Sequence, residues 1–284
     1  MTRELSEKYE ALQNYLCSLG SVAVAFSGGV DSTLLLRVAH DVLGDKAIAV
    51  TASSASFPQR EYRESMDYCR ENRIPHYICS IREMDIPGFS ENKPDRCYLC
   101  KKTIFTALSE TAAAQGVSCV AEGSNMDDNS DYRPGMIAIR ELGVKSPLRR
   151  CGLYKEEIRA LSKELGLPTW SKPSFACLAS RVPYGEPITR EKLIQVDKGE
   201  QFLMDLGFEQ LRVRVHGDLA RIELLPRDIP AFLEESVRKK VSDYFHSIGF
   251  SYVSMDLSGY RTGSMNEVLP KDVLEKGMDV NVSE

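Results

Sequence analysis

Ser27, Gly28, Gly29, Val30, Asp31 and Ser32 concentrate more potential chemistry than any other stretch of the chain. Two glycines leave backbone N–H groups unobstructed by Cβ, two serines add hydroxyls, and an aspartate adds a hard oxygen ligand. Before them stands the apolar run Val22, Ala23, Val24, Ala25, Phe26, suited to a parallel strand covered on both faces. After them, residues 31–43 form an amphipathic helix that Gly44 can end. A glycine turn between a buried strand and a helix N-terminus suits an anion, here a phosphate. A plain strand-to-helix turn is the competing reading, and it would not need this set of residues.

Four further constellations stand out. A second strand ends in Thr51, Ala52, Ser53 and Ser54, small residues that let a nucleotide base approach the backbone at Ser53. A fourth strand ends in Glu122, Gly123, Ser124, Asn125, Met126, Asp127 and Asp128, with Asp131 and Arg133 following. Four carboxylates exceed the needs of a turn and suit Mg2+ or ribose, with Arg133 answering a negative group. Cys177 sits among small residues with Lys172 and Arg181 nearby, surroundings expected to lower its thiol pKa and favour the thiolate. Cys97 and Cys100 form a C-x-x-C pair in what reads as a surface turn running into a helix, a pattern serving redox exchange, zinc or iron–sulfur chemistry.

Zinc would want four ligands, and the four histidines (40, 76, 216, 246) are scattered. Cys97, Cys100 and Cys177 together make three thiolates, which suits a 4Fe–4S cubane with one iron open; ordinary reduced thiols are the alternative. Arg212 and Arg214 alternate with valines on a strand and share a face about 7 Å apart, a clamp for phosphate or carboxylate unless cross-strand acids take them.

The elements that must position these residues alternate. Strands over 22–26, 47–52, 76–81, 118–122 and 142–148 are separated by helices over 31–43, 61–72 and 101–115, with another over 155–165. That order predicts an α/β fold with a doubly wound parallel sheet, its ligands at the carboxyl ends of the strands. Prolines and glycines punctuate 167–189, an irregular and functional stretch. Beyond it come a helix (190–206), a hairpin (210–216 and 220–225), a helix (231–247) and a strand (251–257). The expected division is an adenylating domain over 1–170 and a smaller α/β domain over 171–284.

Composition is that of an ordinary globular protein: 284 residues, 43% hydrophobic, 27% charged and a net charge of −5. The acidic balance counts against a nucleic-acid partner. No apolar stretch reaches the ~20 residues of a membrane span, and residues 1–10 are too polar for a signal peptide, so a cytoplasmic location is expected. Eight cysteines in such a compartment should be mostly thiols.

The hexapeptide resembles the PP-loop of ATP pyrophosphatases, which lacks the Gly-Lys-Ser/Thr of Walker-type loops. With the Glu-Gly-Ser-Asn-x-Asp-Asp, Pro-Ser-x-Ala-Cys-Leu-Ala-Ser-Arg and Arg-Val-Arg-x-His-Gly segments, the resemblance over nearly the whole chain is to the LarE family. It implies an AMP-forming sulfurtransferase acting on pyridinium-3,5-biscarboxylic acid mononucleotide, in making the nickel-pincer nucleotide of lactate racemase. It further implies that Ser27, Gly28, Gly29 and Ser32 hold pyrophosphate and that Asp31 reaches Mg2+. Gly123, Asp127 and Arg133 complete the ATP site. Arg212 and Arg214 hold the substrate phosphate, and Arg181 and Lys172 balance its carboxylates.

One variant of the family sacrifices the sulfur of the cysteine matching Cys177; another holds a 4Fe–4S cluster on three cysteines. Cys97 and Cys100 make this chain resemble the cluster type. The sulfur source would be sulfide or a cysteine desulfurase, and a homo-oligomer is expected. A PP-loop tRNA thiolase is the rival reading.

Overall fold

The computed structural model describes residues 1–130, 134–261, 263–267 and 269–270. Its elements run α1 (Arg3–Leu19), β1 (Val22–Ala25), α2 (Val30–Leu43), β2 (Ala47–Ser53), α3 (Gln59–Glu71) and β3 (His76–Ser80). Then come α4 (Arg96–Ala114), β4 (Val120–Ala121), α5 (Gly135–Glu141), α6 (Pro147–Arg150) and α7 (Lys155–Glu164). The second part holds α8 (Arg190–Asp205), β5 (Leu211–His216), β6 (Leu219–Leu224), α9 (Ile229–Phe232), α10 (Glu235–Ser247) and β7 (Tyr252–Met255).

The first sheet has the order β3-β2-β1-β4, all pairs parallel. Alternation along its strands sends side chains to two separate cores. Val22, Val24, Ala47 and Ala49 pack with α1, α2 and α7, through Leu12, Leu16, Leu34, Leu35, Ile158 and Leu161. Ala23, Ile48 and Val50 pack on the other face with α4 and α5, through Phe105, Leu108, Met136 and Ile139. Helices on both faces of a parallel sheet make the doubly wound α/β fold expected of the sequence.

The expected strand over 142–148 does not form; its trace is a single bridge between Ala121 and Lys145. Gly143 turns through φ +66° after α5, and Pro147 opens α6, so too little chain is left for a strand. The helix expected over 231–247 breaks into α9 and α10. The helix expected from 101 begins at Arg96, so Cys97 and Cys100 lie in its first turn rather than in a turn before it. Their spacing of three puts both on one helix face.

The second sheet, β5-β6-β7, has β5 antiparallel and β7 parallel to β6. Its core draws on both parts of the chain. Leu193, Val213, Val215, Ile222 and Phe245 from the second part join Ile86, Phe89 and Cys100 from the first.

Candidate functional site

Gly28, Gly29 and the hydroxyls of Ser27 and Ser32 build the phosphate loop between β1 and α2. Gly28 adopts φ +70°, and a Cβ there would stand 3.3 Å from the Glu61 carbonyl oxygen. Ser27 Oγ accepts from Gly29 N at 3.4 Å and lies 3.1 Å from Ser32 Oγ, which donates to the Gly29 carbonyl at 3.2 Å. The β4 loop closes onto this turn: a Cβ on Gly123 would stand 3.0 Å from Ser32 N and 3.2 Å from Asp31 Cβ. Glycine at 123 is therefore a contact requirement.

Asp31 is in use. Its carboxylate pairs with Lys155 Nζ and accepts from Asn125 Nδ2 at 3.2 Å. Asp127 accepts from Lys155 N at 2.6 Å, which fixes the start of α7 to the acidic loop. Ser53 ends β2, where its carbonyl accepts from Ile81 N at 2.8 Å. Arg133 lies outside the described residues.

Lys172 reaches from the irregular segment to the phosphate loop. Its Nζ donates to the Gly28 carbonyl at 3.0 Å and pairs with Glu61 at 2.7 Å and Glu64 at 2.5 Å. Burial raises the Glu61 pKa, opposed by this lysine.

The three cysteines singled out in the sequence occupy one neighbourhood: Cys97 and Cys177 both act on Cys100, and Cys97 acts on Cys177. Cys100 is buried and Cys177 is exposed. Among the described residues, no three His, Cys, Asp or Glu side chains converge closely enough to hold a single metal ion. A cubane spreads its ligands wider, and three soft sulfurs fit it as a donor set.

The residues that frame the cysteines come together only in the folded chain. Glu83, buried, accepts from Ser56 N at 2.9 Å and from the Ser56 hydroxyl, and receives Cys100 Sγ at 3.8 Å. Arg96 Nη2 donates to Cys97 Sγ at 3.5 Å, and its Nη1 binds Asn92 Oδ1 and the Ala179 carbonyl (3.0 Å). Asn92 Nδ2 in turn donates to the carbonyls of Val182, Pro183 and Glu186. Leu178 N donates to the Ser56 carbonyl at 2.9 Å.

The expectation of a lowered Cys177 pKa is corrected. Crowding by protein around the thiol, then Glu83, push it up; Arg96 and a hydrogen bond with Ser56 pull the other way. Lys172 and Arg181, the cations expected to help, are spent elsewhere. Burial, then Cys177, Glu83 and Cys97, also raise Cys100.

Arg181 also departs from its expected part. It is fully buried, forked onto Glu200 with both bonds at 2.9 Å. It donates as well to the carbonyls of Ala176 (2.6 Å) and Cys177 (3.0 Å). It holds the cysteine loop and presents nothing to solvent. Burial works to raise the Glu200 pKa, but the Arg181 guanidinium outweighs it and holds the carboxyl low.

Arg214 is likewise forked onto Glu223, at 3.1 and 3.0 Å, and donates to the Ser180 carbonyl at 3.0 Å. Cross-strand pairing thus occupies half of the expected clamp. Arg212 differs: it donates to the Leu211 and Ser174 carbonyls at 2.6 Å and lies over Phe175 and Tyr260, its centre 5.9 and 5.1 Å from the two ring centroids. Burial and the adjacent Arg181 bring its pKa down to about 10, so it stays cationic at neutral pH.

No protein-family model matches the chain. It is 43% identical over 267 residues to an uncharacterized protein of Synechocystis sp., covering 94% of this chain and all of that one. It is 40% identical over 268 residues to the pyridinium-3,5-bisthiocarboxylic acid mononucleotide synthase of Lactiplantibacillus plantarum, covering 94% and 96% of the two. A tRNA-specific 2-thiouridylase of Azorhizobium caulinodans is 29% identical over 210 residues, 60% of this chain and 53% of that one.

Proposed function

The chain belongs to the LarE family of ATP-dependent sulfurtransferases, and we propose that it converts the carboxylates of pyridinium-3,5-biscarboxylic acid mononucleotide to thiocarboxylates. The observation carrying this reading is the gathering of Cys97, Cys100 and Cys177 in one neighbourhood, with the Cys177 segment tied through Lys172 to the phosphate loop.

The first step is attack of a substrate carboxylate oxygen on the α-phosphorus of ATP, with pyrophosphate leaving. N–H groups at Gly28 and Gly29 and the hydroxyls of Ser27 and Ser32 cradle the departing phosphates. Mg2+ held by Asp31 would neutralise phosphate charge. The acyl-adenylate so formed is a carbonyl electrophile with AMP as its leaving group. Sulfur then attacks that carbonyl, the C–O bond to AMP breaks, and the thiocarboxylate remains. Arg212 binds the substrate's own phosphate, with Arg214 supporting the same strand face. Arg181 fixes the backbone of 176 and 177 so that the sulfur meets the adenylate in one orientation.

Cys97, Cys100 and Cys177 would hold a 4Fe–4S cluster, which when bound would supply sulfide as the nucleophile. Arg96, beside two of these thiols, offsets their negative charge. A second reading has Cys177 surrender its own sulfur, and the exposure of that residue, where Cys100 is buried, favours it.

Anaerobic purification with iron and sulfide counts, a visible spectrum and an assay on the pyridinium dicarboxylate nucleotide decides between them. The cluster reading expects near-stoichiometric iron and repeated turnover. A colourless protein that loses sulfur from Cys177 after one round would replace it with the second reading. Faster thiolation of tRNA than of the nucleotide would overturn both.

A further inference from the structure

The phosphate loop itself contains no lysine or arginine. A triphosphate bound there still carries several negative charges, and N–H groups and hydroxyls alone leave them largely unbalanced. The fold brings a cation to the loop from 124 residues away, as Lys155 Nζ pairs with Asp31. The pair is partly open to solvent, with side chains 26% and 22% exposed. Its backbone is fixed: Lys155 N is bound by Asp127, and α7 packs onto α2 through Ile158 and Leu161. Its ammonium is mobile on a four-carbon stem with three donors.

Asp31 is also the hard carboxylate of the loop, and a dication arriving with phosphates would compete for it. Lys155 would then lose its partner beside newly delivered negative charge. We propose that Lys155 is a phosphate-binding residue of this site, standing on Asp31 while the site lacks nucleotide and moving to the ATP phosphates when a metal takes Asp31. The inference rests on the phosphate-loop reading above. It supplies from α7 the lysine that other phosphate loops carry within themselves.

The test uses the full chain with Lys155→Met, Lys155→Gln and Lys155→Arg. Binding of α,β-methylene ATP with Mg2+ is measured by calorimetry, and binding of Mn2+ without nucleotide by electron paramagnetic resonance. Lys155→Met and Lys155→Gln are expected to weaken the analogue about tenfold or more, with Lys155→Arg near the parent protein. Both neutral variants should also bind Mn2+ more tightly than the parent, because Asp31 is released. An analogue affinity within about twofold of the parent in a folded Lys155→Gln, with only a lowered melting temperature, would make the pair structural and overturn the inference. Failure of the parent chain to bind the analogue would instead overturn the phosphate-loop reading itself.

Discussion

A thiol with a raised pKa is a slow nucleophile at neutral pH, whatever its exposure. Cys177 is such a thiol, with Glu83 adding to the effect of its crowded surroundings and Arg96 working against both. In metal-free protein, iodoacetamide should alkylate it at pH 7.5 more slowly than a cysteine in a short peptide. Mass spectrometry should find Glu83→Gln faster than the parent and Arg96→Gln slower. Equal rates in all three would mean that these charges do not govern the sulfur. Arg181 answers a different test, because removing one member of a buried ion pair strands the other. Arg181→Met should cost about 3–5 kcal/mol in urea unfolding, and adding Glu200→Met should recover part of it.

At the scale of elements, the close contact between two loops is the sensitive feature. Gly123→Ala would press a methyl group onto Ser32 N and Asp31. The expected result is roughly tenfold weaker binding of an ATP analogue, with a nearly unchanged melting temperature. The phosphate loop and its flanking strand and helix were legible because their signal is local: an apolar run, a glycine turn, then helical periodicity. Helix α4 starts earlier than its sequence suggests, because Cys97 and Cys100 lie among charges and follow Pro94 as turn residues do. Glu83, Asn92, Arg96 and Lys155 carried no signal, since each is ordinary until tertiary packing assembles it. Glu200 is an exception. It falls on the apolar stripe of α8 with Leu193, Val196 and Leu203, and an acid on such a stripe calls for a buried partner.

For the whole molecule, the expected boundary near residue 170 cuts through a shared core, since Ile86, Phe89 and Cys100 pack with β5 and β6. The full chain should therefore unfold in one calorimetric transition, and residues 171–284 alone should expose apolar surface and bind a hydrophobic dye. Two separate transitions would refute the shared core. Acid should act through His76, whose pKa burial lowers from 6.5 to about 4. The unfolded chain takes up that proton first, so stability falls as pH drops from 6.5 towards 4, by at most about 3 kcal/mol for this half-buried ring. His76→Gln should flatten that part of the pH–stability curve, measured as urea midpoints.

The grip of Arg181 on the sulfur loop falls on carbonyl oxygens, at Ala176 and Cys177. Carbonyls are common to every residue type, so the hold is blind to the side chain at 177. A serine or alanine at 177 would still offer these two carbonyls to Arg181. The donor chemistry at this one place can thus change while Arg181 keeps its grip on the backbone.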